Sequence, residues 1–223
     1  MNNVIIVAGG KGLRMGKDFP KQFIAVDSKP ILMRTIETFY TFDNSIRIIV
    51  ALPSSYRDHW SRLCKGYGFS LYHDVVDGGD TRFESVKNAL ELVSSGLVAV
   101  HDAVRPFVSH NLIKECFDQA VLHKAVVPVI EVTDSLREIT GENTSSIVDR
   151  NRFRMIQTPQ VFDFELLKQA YEQPFNNLFT DDASVVESHG HAIHLVEGER
   201  SNIKITTPFD LSLAEVILKQ RVL

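Results

Sequence analysis

Cysteine is almost missing from this chain. Cys64 and Cys116 are the only two in 223 residues, with no CxxC and no zinc-ligand spacing. That leaves no metal-binding thiol set and predicts two reduced thiols in a cytoplasmic protein. No stretch is long and apolar enough to span a bilayer. The opening "MNNVIIVAGG" has no basic region and breaks at glycine, so no signal peptide is expected. Positive charge is also scarce. With 24 Lys and Arg against 28 Asp and Glu the formal net charge is −4, which argues against bulk nucleic-acid binding. An anionic partner must therefore be met by a few placed cations. The single tryptophan, Trp60, lies at helical spacing with Tyr56 and Leu63 and reads as core. No internal repeat, linker or Ser-His-Asp pattern is evident.

What is present is an ordinary globular composition, 44% hydrophobic and 23% charged, on a length suited to one sizeable domain, 1–223. Short Val/Ile-rich runs at 4–8, 46–52, 97–101, 125–130 and 192–196 barely alternate, as strands buried on both faces should. Between them, 30–42, 56–65, 81–93, 110–123, 164–171 and 208–219 have helical period. Thr81 with Glu84 forms a capping box, and Thr207-Pro208-Phe209-Asp210 supplies an N-cap, a proline at the first helical position and an acid in the first turn. Strand and helix in alternation predict a doubly wound, mostly parallel α/β sheet, which binds ligands at the carboxyl ends of its strands. One segment breaks the rhythm. "EVTDSLREITGENTSSIVDRNRFR", 131–154, reads as two polar strands about a Thr-Gly-Glu-Asn turn, a projecting hairpin arm that needs a partner for stability.

The stretch "VIIVAGGKGLRMGKDFPKQF", 4–23, places a glycine-rich loop directly after the first strand. Such loops meet phosphate, because backbone N–H groups close in where no Cβ obstructs them. Two familiar forms do not fit. A dinucleotide fingerprint needs a third glycine where Met15 stands, and a P-loop needs four residues between glycines where Gly12 and Gly16 enclose three. What remains is a cationic loop with Lys11, Arg14, Lys17 and Lys21. A solvated basic turn is the plain reading; a triphosphate clamp is the sharper one, since two anions approach only when charge between them is neutralised.

"AGGKGLRMGKDFPKQF", "DGGDTRFESV", "VHDAVRPFV", "VDRNRFRMIQTPQVF", "TDDASVVE" and "NIKITTPFDL" follow in order along nearly the whole chain. Together they resemble the 2-C-methyl-D-erythritol 4-phosphate cytidylyltransferase family of the non-mevalonate isoprenoid pathway. The resemblance implies a Rossmann-like nucleotidyltransferase domain in which a polyol phosphate attacks the α-phosphorus of CTP and pyrophosphate leaves. It implies that Arg14 and Lys21 stabilise the α-phosphate, and that Ala8, Gly9, Gly10, Gly12, Gly79, Asp80 and Ser85 hold the nucleotide. The polyol phosphate falls to Arg105, Ser135, Arg150, Thr158, Thr180 and Lys204, with serine at 135 where the family usually has threonine. Asp102, at a strand's carboxyl end, is expected to engage Mg²⁺, an oxygen-seeking ion; an ion pair with Arg105 is the plainer reading. The resemblance also implies a homodimer through the arm, with CTP and a small polyol phosphate as ligands. A ribitol 5-phosphate cytidylyltransferase and a non-catalytic nucleotide-binding regulator remain as alternatives. His189, His191 and His194 are read as a solvated turn at a helix end, and His101 beside Asp102 as no dyad, because adjacent strand residues face opposite ways.

Overall fold

The computed structural model describes residues 2–9 and 20–221. In chain order its strands are β1 (Asn2–Val7), β2 (Ala25–Val26), β3 (Lys29–Pro30), β4 (Arg47–Leu52), β5 (Asp74–Asp77) and β6 (Leu97–Asp102). Then follow β7 (Ala125–Glu131), β8 (Arg137–Gly141), β9 (Thr144–Ile147), β10 (Arg154–Ile156), β11 (Gln160–Asp163) and β12 (His194–Glu197). The helices are α1 (Ile31–Phe42), α2 (Arg57–Tyr67), α3 (Arg82–Leu90), α4 (His110–His123), α5 (Phe164–Ala170), α6 (Asp182–Ser188) and α7 (Pro208–Arg221).

Eight strands form the main sheet, in the order β10-β7-β11-β6-β1-β4-β5, with β12 also paired to β7. β6, β1, β4 and β5 pair in parallel, as does β12 with β7, whereas β10 and β11 run antiparallel to their neighbours. This is the doubly wound, mostly parallel α/β sheet that the alternation predicts. The apolar runs do not alternate because both faces are covered. Val4, Ile6, Ile48 and Val50 point into a core shared with Leu32, Ile36 and Phe39 of α1 and with Ile113 and Phe117 of α4. Ile5, Ile49 and Ala51 point the other way, against Phe83 and Val86 of α3, Leu167 of α5 and Val185 of α6. A third cluster seats Leu211, Ala214 and Ile217 of α7 on Val26, Ile31 and Phe107. Trp60 is buried, as its spacing suggests, and packs near Phe23 and Phe69.

The shortest elements of the main body escape the periodicity, β5, β11 and α6 among them. β5 and β11 have four residues each, DVVD and QVFD, in which polar ends flank only two apolar residues. α6 has seven residues and starts in a run of two aspartates. The strand expected at 192–196 forms as His194–Glu197, after a turn in which Gly190 has φ +89°. The hairpin is present but shorter than 131–154. Glu131 still belongs to β7, and Arg154 already returns opposite it as the first residue of β10. β8 and β9 pair only with each other among the described residues, leaving Ile139 and Ile147 largely exposed.

His101 shows how tightly the strand ends are built. It is fully buried on β6, edge-on to Phe39 with ring centroids 4.9 Å apart. Nε2 stands 2.9 Å from the Arg105 carbonyl, which only accepts, so Nε2 carries the proton and donates. Nδ1 then accepts from the Thr158 hydroxyl at 3.1 Å. Burial pulls the His101 pKa from 6.5 down to about 4, against the pull of the Arg105 carbonyl and Asp102. The unfolded chain therefore binds more protons than the folded one between those values. Stability due to neutral His101 is complete above pH 6.5 and lost as the pH falls toward about 4, on the order of 3 kcal/mol in all. Urea unfolding across that range should show a shallower pH slope for His101→Gln than for the parent. Equal slopes would mean that His101 carries its proton in the folded protein.

Candidate active site

The carboxyl ends of β1, β5 and β6 converge on a cavity of about 280 Å³. Ala8 and Gly9 line it where β1 ends, and Lys21 and Gln22 where the chain turns back toward α1. Gly79, Asp80, Thr81, Arg82 and Ser85 line it at the start of α3; Asp102, Ala103 and Lys204 close the floor.

The β5–α3 loop is held by a closed set of local bonds. Thr81 caps α3: its hydroxyl accepts from the Glu84 N–H at 3.0 Å, and the Glu84 carboxylate accepts from the Thr81 N–H at 3.0 Å. The Ser85 hydroxyl donates to the Thr81 carbonyl at 2.9 Å and accepts from the Gly79 N–H at 3.1 Å. Position 79 has no room for a side chain, since a Cβ there would stand 2.2 Å from Cβ of Glu84. Ser85, expected to touch nucleotide, lines the cavity and also shapes the loop beside it.

Asp102 is the electrostatic pivot. Its Oδ2 lies 2.9 Å from Nζ of Lys204 and 3.2 Å from Nε of Arg105. Burial alone would raise its pKa, but Lys204, Arg82 and Arg105 outweigh burial and hold the carboxyl well below the usual range. Arg105 in turn donates to the Asn202 carbonyl at 2.7 Å, and the Asn202 amide donates to the Thr158 carbonyl at 2.9 Å. Thr158 stands one layer behind the cavity, where its hydroxyl accepts from the Asp102 N–H at 3.1 Å.

Arg82 was not singled out by sequence reasoning, although it stands inside the "DGGDTRFESV" motif. Its guanidinium makes a two-pronged pair with Asp182, Nη1 to Oδ1 at 2.7 Å and Nη2 to Oδ2 at 2.5 Å. Asp182 is fully buried, and its Oδ1 also accepts from the Tyr171 hydroxyl at 2.7 Å. Behind it, Gln160 donates to Asp181 at 2.8 Å and accepts from the Ala183 N–H at 2.9 Å, fixing the start of α6. Burial works against the charge on Arg82, but Asp182 and Asp102 prevail and secure it.

Of the expected site residues, Ala8, Gly9, Lys21, Gly79, Asp80, Ser85, Asp102 and Lys204 meet at the cavity, with Arg105 on Asp102. Gly10, Gly12 and Arg14 lie outside the described residues. Ser135 and Arg150 are exposed on the arm, where Arg150 donates to the Thr133 carbonyl, and neither lines the cavity. Thr180 is exposed beside Asp181, the N-cap of α6. His194 stacks on His123, and among the described residues no group of three or more His, Cys, Asp or Glu is placed to hold a metal.

A mostly parallel sheet with a cation-lined cavity at its strand ends is the architecture of a nucleotidyltransferase-like α/β protein. Comparison with known families narrows this further. The model of the 2-C-methyl-D-erythritol 4-phosphate cytidylyltransferase family (IspD) matches residues 2–220, and the chain belongs to that family. It is 56% identical over 217 residues to the 2-C-methyl-D-erythritol 4-phosphate cytidylyltransferase of Phocaeicola vulgatus, covering 97% of this chain and 99% of that protein. Its fold is similar to that of the 4-diphosphocytidyl-2C-methyl-D-erythritol synthase of Anaerococcus prevotii, with TM-score 0.82, 29% identity and 98% of each chain covered. The Thermus thermophilus 2-C-methyl-D-erythritol 4-phosphate cytidylyltransferase gives TM-score 0.79 at 33% identity, over 98% of this chain and 100% of that one.

The Arg82–Asp182 pair makes a measurable claim. Asp182→Asn should lower the unfolding free energy by about 3 kcal/mol, the low end for breaking one side of a buried pair, because Arg82 keeps some solvent. A loss below about 1 kcal/mol in urea titration would place this pair among weak surface contacts.

Proposed function

We propose that this chain transfers the cytidylyl group of CTP to 2-C-methyl-D-erythritol 4-phosphate, giving 4-diphosphocytidyl-2-C-methylerythritol and pyrophosphate. One observation carries the reading: Lys21, Arg82 and Lys204 converge on the strand-end cavity around an ionised Asp102, in a chain that the family model matches over residues 2–220. An oxygen of the substrate phosphate attacks the α-phosphorus in line; the new O–P bond forms as the bond to the β-phosphate oxygen breaks. The attacking phosphate is already an anion, so no general base is required. His101 supplies none, being buried with both ring nitrogens engaged. What the step needs is positive charge at the α-phosphate. Lys21 provides a compact charge, and Arg14, outside the described residues, would add a planar fork. Backbone at Ala8, Gly9 and Gly79 favours a small pyrimidine over a purine.

Mg²⁺ belongs to the same proposal. Asp102 is an ionised carboxylate at the cavity, and Mg²⁺ favours oxygen donors shared between one or two carboxylates and substrate phosphates. Asp102 would hold the ion, which would neutralise charge on the triphosphate. We also assign the enzyme to the cytoplasm, in keeping with two free thiols. No helix among the described residues is long and apolar enough to cross a membrane.

Pyrophosphate release with a panel of nucleotides and polyol phosphates tests the reaction. CTP should far exceed ATP and GTP, and methylerythritol phosphate should far exceed ribitol phosphate; a reversed polyol ratio in kcat/KM would make the enzyme a ribitol 5-phosphate cytidylyltransferase. Lys21→Ala should lower kcat by on the order of 10²–10³, with a smaller effect on CTP binding, since the transition state gains most from that cation.

The arm completes the proposal. A lone polar hairpin is marginal, and its exposed Ile139 and Ile147 favour cover by a second copy. In a homodimer with crossed arms, Ser135 and Arg150 would enter the partner's site. Lys21→Ala and Arg150→Ala, each nearly inactive alone, should then complement when co-expressed. Half the dimers are mixed, each with one intact site, so about a quarter of parental activity should return. Mixed dimers without recovery would rule out crossed arms.

A further inference from the structure

The turn that carries Lys21 is attached to the rest of the site through its neighbour. Lys21–Phe23 form one turn of 3-10 helix, closed by Phe23 N–H to the Pro20 carbonyl at 3.1 Å and Ile24 N–H to the Lys21 carbonyl at 3.1 Å. On one side Phe23 is buried in a ring of aromatics, with centroids 5.0 Å from His59, 5.7 Å from Tyr56 and 6.1 Å from Trp60. On the other side stands Gln22, only 1% exposed, whose side-chain amide donates to the Ala8 carbonyl at 2.6 Å. A carbonyl only accepts, so the NH₂ end of the amide must face it. Ala8 is itself fixed, its N–H donating to the Ala51 carbonyl at 2.9 Å as β1 leaves the sheet beside β4. Thus a buried polar bond ties the Lys21 turn to a rigid strand end. Phe23 supplies apolar anchorage, which sets depth but has little directional preference; the Gln22 bond sets direction.

We propose that Gln22 is a positioning residue for the transfer step: the hydrogen bond from its side-chain amide to the Ala8 carbonyl fixes the Lys21 turn and thereby aims the Lys21 ammonium into the cavity. Gln22 touches no reacting atom in this account and acts through Lys21. The inference rests on the role proposed for Lys21 above. It explains why an uncharged amide is buried beside a cation at this site: a glutamate would repel the Ala8 carbonyl when ionised, and an apolar side chain would leave that carbonyl unpaired.

The test is a double-mutant cycle on the full-length enzyme, read by pyrophosphate release with CTP and methylerythritol phosphate. Gln22→Met keeps the length and bulk of the side chain. It should lower kcat about 10²-fold, the cost of a catalytic group displaced by about 1 Å, with KM for CTP changed less than about threefold. In the Lys21→Ala background the same substitution should cost less than about twofold, because the group it positions is gone. Multiplying losses would overturn the proposal, as would a Gln22→Met kcat equal to the parent's, or a rise in KM that matched the fall in kcat/KM. If Gln22→Met fails to fold by its thermal transition, Gln22→Glu carries the test. Its carboxyl can donate to Ala8 only while protonated, so its kcat relative to the parent should rise as the pH is lowered. A ratio independent of pH would overturn the proposal. A parent that does not turn over CTP overturns the transfer reading; an active parent with unaffected Gln22 variants overturns this inference alone.

Discussion

A cavity able to hold a triphosphate must gather cations before the triphosphate arrives, and cations brought together in a partly dry site repel. The Asp102 carboxylate resolves that conflict. Placed where β6 ends, it draws Lys204 from a segment 102 residues downstream and Arg105 from the turn that follows it. Asp182 does the same for Arg82 from the opposite wall. Among the described residues that line the cavity, Lys21, Arg82 and Lys204 outnumber Asp80 and Asp102, so an anion is favoured. Because the anchoring carboxylates Asp102 and Asp182 are buried and already paired with Arg82, Arg105 and Lys204, little rearrangement remains when charge develops during transfer.

The fold supplies what that arrangement requires. Parallel strands end together on one side of the sheet, and each contributes a loop to the cavity. Both faces of the sheet are packed, so the strand ends have little freedom. His101 and Thr158 extend this rigidity beneath the site: one hydroxyl links the Asp102 backbone to an imidazole kept neutral by burial. The arm departs from the pattern. Its strands pair with each other alone among the described residues, and its expected substrate contacts, Ser135 and Arg150, stand outside the cavity.

Much of this was legible in the sequence. Non-alternating Val/Ile runs meant strands covered on both sides, and the Thr81–Glu84 box marked the start of α3 within one residue. The motifs named eight of the cavity's lining residues, through the family they resemble rather than through any periodicity. β5, β11 and α6 were not legible, being too short for a period to emerge. Arg82 was missed for a different reason. At the first position of α3 it reads as a solvated helix residue, and its partner Asp182 lies 100 residues away, a pairing made only by the tertiary fold. The two acids of "TDDAS" were the available signal, since one caps α6 and the other is left to find a cation. Gln22 was similarly hidden, its role decided by the Ala8 carbonyl 14 residues earlier.

In the proposed reaction the substrate phosphate attacks the α-phosphorus directly, and the protein contributes charge and position but no covalent intermediate. The stereochemistry at that phosphorus tests this most directly. With a single diastereomer of CTP bearing sulfur on the α-phosphate, one in-line displacement inverts the configuration. Direct attack yields a product with inverted configuration at the α-phosphorus. Net retention would mean two displacements through a nucleotidylated side chain and would contradict it.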